Sequence, residues 1–373
     1  MAKKTNIEIN GKQYYRVTRT IGKKADGTLI RKQFYGTGIN EANKKADEYV
    51  NDIKNGLITN FEYVTINDAM HTWLFDFLLN SASIKPSTFQ RYEGIYRKYI
   101  KSSSIAGLRA STFTSLQLQK FYNRLAKNFS YKQINTLNTI LKIFFNWCID
   151  NGYMLKNPCN NVNIKNELNK MTTEKKKIEI LTEKEIKTIK NYIRNTDFEL
   201  LFLLDLGTGL RLGELLALDW ENINLESKTI YIEQSVKEVY VYDTPESKHI
   251  ETIFQKPKTK TSIRTITIPN NLVELLKLQK NKTGLLFKDE NGNPIRGRIV
   301  YSRWNSILKK CKIPHKKFHA IRHTYASMLL KKGVDIETVA ELMGHSTITI
   351  TQIYLHSTSN QKQKAVNKLN SLF

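Results

Sequence analysis

Between residues 161 and 180 the chain reads NVNIKNELNKMTTEKKKIEI, a polar, lysine-rich stretch with the composition of a linker. Such a segment offers no apolar face to a core, so the 373 residues are read as separate folding bodies on either side of it. Length agrees, since a chain of this size ordinarily makes about two or three domains. A hydrophobic content of 40% supplies enough apolar material for more than one core.

Charge narrows the class of partner. Lys and Arg number 59 against 34 Asp and Glu, a formal net charge of +25, which attracts polyanions. An anionic membrane surface is excluded first as a place to insert. The longest apolar cluster, LLFLLDLGTGL at 200 to 210, is broken by Asp205 and two glycines, and falls short of the ~20 apolar residues a spanning helix needs. MAKKTNIEIN has no apolar run after its lysines, unlike a secretory signal. Cys148, Cys159 and Cys311 are scattered with no metal-binding or paired spacing, which argues against a disulfide framework and a zinc site. The expectation is a reduced cytoplasmic protein acting on nucleic acid, with no metal and no cofactor.

Three bodies follow, predicting a multidomain chain that is mainly α with small β elements. Residues 1–60 read as a small β-sheet plus one helix: KQYYRVTRTI and TLIRKQFYGTG flank the turn GKKADG, and NEANKKADEYVNDIKNG follows with Asn40 as cap and Gly56 as stop. The segment is basic, with interleaved tyrosines, as a DNA-contacting surface or a merely solvated sheet would be. Residues 63–165 read as a helical bundle. Its first helix has Thr65 as cap and places Met70, Trp73, Leu74, Phe77 and Leu78 on one face. Its second starts near Pro86 and turns Phe89, Tyr92, Ile95, Tyr96 and Tyr99 inward, and Lys85, Arg91, Arg97, Lys98 and Lys132 lie on outer stripes. After a linker at 166–180, residues 181–373 read as a mixed α+β domain opened by a capping box at Thr182 and Glu185, with helices around a strand-rich stretch from 228 to 268.

Three segments of this last domain carry chemistry. In DLGTGLRLGELLALDWENI, two glycines break a helix and Arg211 starts the next, three positions before Glu214 on the same face. An oriented guanidinium there suits a bidentate phosphate contact, although alone it reads as an ordinary surface ion pair. FQKPKTKTSIRTITIP, residues 254 to 269, suggests a β-hairpin carrying Lys256, Lys258 and Lys260 toward its tip. In HKKFHAIRHTYASMLLKKG, His319 and Arg322 share a helix face near its N-terminus, a ready anion site, while His323 points elsewhere and reads as structural. Beyond lies ELMGHSTITITQIYLH, with His345 after a glycine and Tyr354 nine positions on.

Together, two arginines, two histidines, a lysine and a tyrosine without a carboxylate cluster suit a phosphodiester. Fixed cations neutralise its non-bridging oxygens, a tyrosine hydroxyl attacks once a base takes its proton, and a lysine protonates the leaving oxygen.

Arg211 within GTGLRLGE, a hairpin lysine, His319-x-x-Arg322, LMGH with His345, and Tyr354, in this order, resemble the catalytic signature of the tyrosine recombinases, the phage and transposon integrase family. The match is strongest in LRLGELLAL, HAIRHTYAS and ELMGHSTITITQIYLH; for the first two bodies it is one of layout. The resemblance implies an arm-type DNA-binding domain, a helical core-binding domain and a catalytic domain. It implies that Tyr354 attacks the scissile phosphate, giving a 3′-phosphotyrosyl link and a free 5′-hydroxyl. Arg211 and Arg322 would clamp the phosphate, His319 would serve as base or donor, His345 would hydrogen-bond the phosphate, and Lys258 or Lys260 would be the general acid. The implied partner is double-stranded DNA with core-type and arm-type attachment sites. The implied assembly is a homotetramer in a bacterial cytoplasm, with an excisionase or a host DNA-bending protein as helper. A type IB topoisomerase shares the site chemistry, and a repressor that keeps the fold without the reaction is the non-enzymatic alternative.

Overall fold

The structure is a computed structural model. It describes residues 6–9, 11–23, 29–54, 63–81, 84–164, 178–257, 260–279 and 282–354. The chain divides into two compact units, Met1–Thr173 with Tyr240–His249, and Glu174–Val239 with Ile250–Phe373. Helices dominate and the sheets are small and antiparallel, the mainly α architecture that the residue pattern predicts. Among the described residues no helix is long and apolar enough to cross a membrane.

In the first unit, the strand Lys12–Lys23 lies between Ile7–Ile9 and Leu29–Gly36. The turn expected at GKKADG falls mostly outside the described residues. Helix Ile39–Lys54 buries Ala42 and Ala46 and sets Tyr49 against Phe34, ring centroids 5.3 Å apart. Asn40, the expected cap, lies inside this helix. The chain enters it through Thr37, whose N–H and hydroxyl both donate to Glu41 at 2.8 and 2.5 Å. A carboxylate in the first turn satisfies two donors at once and suits the positive end of the helix dipole, which a neutral Asn does less well.

The bundle of the same unit starts at Ile66–His71, where Thr65 and Asp68 form a reciprocal capping box. From Thr72 to Leu78 the chain widens into a π-helical turn, with the Leu79 N–H bonded to the Leu74 carbonyl at 2.9 Å. Side chains beyond the widening rotate out of the register a 3.6-residue period gives. Phe75 is therefore buried, and Phe77, expected on the inner face, is 51% exposed. Pro86–Ile95 runs into a second such turn, Tyr96–Ile100, and here Phe89, Ile95, Tyr96 and Tyr99 are buried as expected. Ser115–Leu125 and Tyr131–Asp150 complete the bundle, each opened by a capping box. Lys85, Arg91, Arg97, Lys98 and Lys132 are all exposed.

The second unit opens with Glu183–Ile193, capped by Thr182 and Glu185 as the sequence indicates. Asp197–Thr208, Asn270–Lys277, Gly297–Lys310 and Ala320–Lys331 pack around a core that includes Phe202, Trp304, Phe318 and Ile321. Strand Thr229–Ile232 pairs with Ile223–Asn224 on one side and Arg264–Thr267 on the other, with Ile230 opposite Ile266. The expected hairpin over 254 to 269 does not form. Lys248–Gln255 pairs instead with Ser235–Tyr242, so the lysine segment links two different sheets rather than capping one hairpin. The reason is pairing energy. Arg264–Thr267 alternates buried and exposed residues, and its inward Ile266 finds the complementary inward face on Thr229–Ile232.

Candidate active site

Helix Asp197–Thr208 ends at Gly209, whose left-handed φ of 61° lets the chain reverse, and a Cβ there would run into the ring of Tyr325. Two residues on, Arg211 caps the short helix Leu212–Leu216. Its backbone N–H donates to Glu214 Oε2 at 3.0 Å and its Nη1 to Glu214 Oε1 at 2.7 Å, the pairing expected from their spacing. Glu214 is 3% exposed and holds a second guanidinium. Arg264 Nη2 donates to its Oε2 at 3.0 Å, and Arg264 Nε to the Leu342 carbonyl at 2.9 Å. Burial alone would raise the Glu214 pKa, but Arg264 and Arg211 outweigh it and hold the carboxyl below its ordinary range.

Helix Ala320–Lys331 delivers the second arginine. Arg322 is 1% exposed; its Nη1 donates to the Gly209 carbonyl at 2.6 Å and its Nη2 to the Met343 carbonyl at 2.5 Å. Arg211 Nη2 donates to the next carbonyl, that of Gly344, at 2.9 Å. Both guanidiniums thus converge on the C-terminal end of helix Ile336–Met343. Gly344 has φ 61°, and a Cβ there would stand 2.8 Å from Arg264 Nη1. Burial first, then the charge of Arg211, pulls the Arg322 pKa down to about 10, so it remains a cation at neutral pH.

His345 follows Gly344 and turns Nδ1 to the hydroxyl of Thr351, 2.8 Å away. Thr351 is fully buried in the short helix Ile348–Gln352, which carries the chain to Tyr354. Tyr354 is 6% exposed and packs with Ala326, Val339 and Met343. Its hydroxyl lies 2.6 Å from Nδ1 of His323, the histidine read from sequence as structural. His319 stands one helical turn before His323, the two rings edge to face at 4.5 Å. Burial raises the Tyr354 phenol above its ordinary value, with Arg322 opposing.

The imidazoles share one electrostatic state. Crowding by protein atoms first, then His323, Arg322 and Arg211, lowers His319 to about 4, although the residue as a whole keeps solvent contact. Burial, then Arg322 and Arg211, lowers His345 to about 4, and His323 is lowered by burial and Arg322. All three are neutral at pH 7. Each takes a proton more readily in the unfolded chain, near the ordinary value of 6.5, so folding stability is full above that pH and declines as pH falls toward 4. The thermal unfolding midpoint of this unit is expected to drop steadily between about pH 6.5 and 4.5, and less steeply in His345→Asn. A midpoint flat over that window would contradict the neutral assignment.

Arg211, His319, Arg322, His345 and Tyr354 therefore all belong to one neighbourhood, linked by the contacts above. Lys258 lies outside the described residues, as does the side chain of Lys260, whose backbone starts the turn Lys260–Ser262. Among the described residues no group of three or more His, Cys, Asp or Glu is arranged to hold a metal ion. Sequence reading missed His323 and Arg264 as members of the site. For Arg264 a signal existed, a cation at an inward position of the strand that also buries Ile266. For His323 there was none, since its partner lies 31 residues away.

The Phage integrase family profile matches residues 179–361. A protein of Caldanaerobacter subterraneus subsp. tengcongensis named tyrosine recombinase XerC-like is 45% identical over 395 residues, covering 100% of both chains. The ICEBs1 integrase of Bacillus subtilis is 24% identical over 305 residues, 77% of this chain and 78% of that protein. Among solved structures, the Tn1549 transposon integrase in complex with a circular intermediate DNA is similar with a TM-score of 0.62 at 21% identity, over 82% of this chain and 99% of that one. A lambda integrase dimer bound to a COC′ core site gives 0.57 at 16% identity, over 79% and 97%. At such identities the structural likeness concerns the fold.

Proposed function

Since the chain belongs to the phage integrase family of tyrosine recombinases, we propose that it integrates or excises a mobile element by cutting and rejoining double-stranded DNA at defined sites, with Tyr354 as nucleophile. Attack of the Tyr354 hydroxyl on the scissile phosphate forms a 3′-phosphotyrosyl bond and releases a 5′-hydroxyl. A 5′-hydroxyl from the partner duplex then reverses the step on a new strand, and the phosphodiester energy is kept throughout. Arg211 and Arg322 neutralise the non-bridging oxygens, His345 donates to the phosphate, His319 serves as base or donor, and Lys258 or Lys260 protonates the leaving oxygen.

The observation that carries this reading is the convergence of Arg211 and Arg322 on the adjacent carbonyls of Gly344 and Met343. Two guanidiniums fixed by backbone carbonyls are oriented before any substrate arrives, and preorganised charge is the larger part of catalysis where phosphate charge must be stabilised. The basic sheet unit (1–60) and the helical unit (63–165) are assigned to arm-type and core-type DNA contacts, with 166–180 as linker and 181–373 as catalytic domain. The active assembly on DNA is a homotetramer, with an excisionase or host DNA-bending protein as helper. The net charge of +25 supports DNA as the partner.

The test is a covalent trap. Duplexes from the ends of the element, nicked so that the cut strand diffuses away, are incubated with the full chain, and the attached peptide is mapped. The DNA is expected on Tyr354, at one position in the duplex. Attachment elsewhere in the chain, or none across the tested ends, would overturn the reading.

A further inference from the structure

We propose that His323 is the group that takes the proton from Tyr354. The inference rests on the reading of Tyr354 as nucleophile and replaces His319 as the base in it. Its ground is contact: Nδ1 of His323 lies 2.6 Å from the Tyr354 hydroxyl, inside the reach a general base needs. His345 directs its Nδ1 at Thr351 instead, 2.8 Å away. His323 directly follows Arg322 on the helix Ala320–Lys331, so base and phosphate clamp ride on one rigid element and keep their spacing through the reaction.

Charge supports the direction of transfer. The groups bearing on His323 are Arg322 beside it, His319 one turn earlier and Glu179, which opposes them; burial and Arg322 prevail and keep the ring neutral at pH 7. A neutral imidazole that accepts at Nδ1 carries its hydrogen on Nε2. Tyr354, 6% exposed and raised above an ordinary tyrosine, does not ionise unaided at neutral pH. As the Tyr354 Oη to phosphorus bond forms and the phosphorus to O5′ bond breaks, the phenolic proton passes to His323 Nδ1, and the departing 5′-oxygen takes the proton assigned above to Lys258 or Lys260. In the return step the 5′-hydroxyl attacks phosphorus and gives its proton back to that lysine, the phosphorus to Tyr354 Oη bond breaks, and the phenolate recovers its proton from His323.

The experiment uses the full chain and the nicked duplex on which the wild-type adduct maps, with sulfur in place of the 5′-bridging oxygen. Sulfur leaves without a proton, so the base is read separately from the acid. His323→Ala and His323→Gln are expected to bind this duplex normally and to form adduct about 10²–10⁴-fold more slowly. Both are expected to lose the acid limb of the wild-type pH profile, and free imidazole is expected to restore part of the rate to His323→Ala. A wild-type rate, a slowed rate with the acid limb intact and no imidazole rescue, or a faster rate would each overturn the proposal; the last would make the contact a restraint on Tyr354. Tyr354→Phe runs beside them. An adduct on that variant would overturn the nucleophile reading itself, whereas normal adduct on the His323 variants with none on Tyr354→Phe overturns only the base.

Discussion

Tyr354→Phe is expected to fold, to bind the same DNA as the parent chain, and to form no covalent protein–DNA adduct. The substitution removes one oxygen from a side chain that is 6% exposed and leaves its ring in contact with Ala326, Val339 and Met343. Among the described residues the hydroxyl makes one hydrogen bond, to His323. Its loss costs about 1 kcal/mol of stability, a small part of a domain's total. On the proposed mechanism the chemistry is lost, because the oxygen assigned to form the bond to phosphorus is the one removed. Denaturing electrophoresis of labelled nicked duplex after incubation reads the adduct directly, and retardation of the same duplex on a native gel reads binding. Adduct at the parent level would remove Tyr354 from the mechanism.

The second large effect is on stability. Glu214→Gln is expected to destabilise the unit by about 3 kcal/mol or more, the cost typical of breaking a buried ion pair from one side. Glu214 is 3% exposed and accepts from both Arg211 and Arg264, at 2.7 and 3.0 Å. Glutamine keeps the shape but leaves Arg264, itself buried, without a counter-charge. Denaturant unfolding of the full chain, followed by the fluorescence of its four tryptophans, of which Trp220 and Trp304 lie in this unit, gives the difference. A change below about 1 kcal/mol would mean that backbone carbonyls alone satisfy Arg264. Since the Glu214 pKa is held low, its contribution is present above the ordinary carboxylate range and is lost as pH falls below it, so parent and variant should converge in acid.

Much of this architecture is legible in the residues, and what is not has physical causes. Helices such as Glu183–Ile193 and Ile66–His71 follow from local period and caps, which few residues determine. A regular helical period puts Phe77 inside, but a π turn changes that period within the helix, and nothing in TWLFDFL announces it. The alternation of the lysine segment points to a hairpin, yet strand partners are chosen by the whole sheet, and Thr229–Ile232 wins Arg264–Thr267. The site's arginines, histidines and tyrosine are legible as an ordered motif. The ties among them are not, since Arg264 and Glu214 lie 50 positions apart and Arg211 and Gly344 lie 133 apart.

On the proposed mechanism those last ties set when the chain becomes able to cut DNA. The carbonyl of Gly209 at one helix end, and those of Met343 and Gly344 at another, hold the guanidiniums of Arg322 and Arg211. The same helix end that offers Met343 and Gly344 also leads through His345 and Thr351 to Tyr354. On the roles proposed for Arg211, Arg322 and Tyr354, a chain still emerging from the ribosome has no phosphate clamp until the residues just before Tyr354 have docked. On those roles cutting competence and the docking of this helix end arrive together, and a fragment lacking this end is expected to leave no broken strand behind.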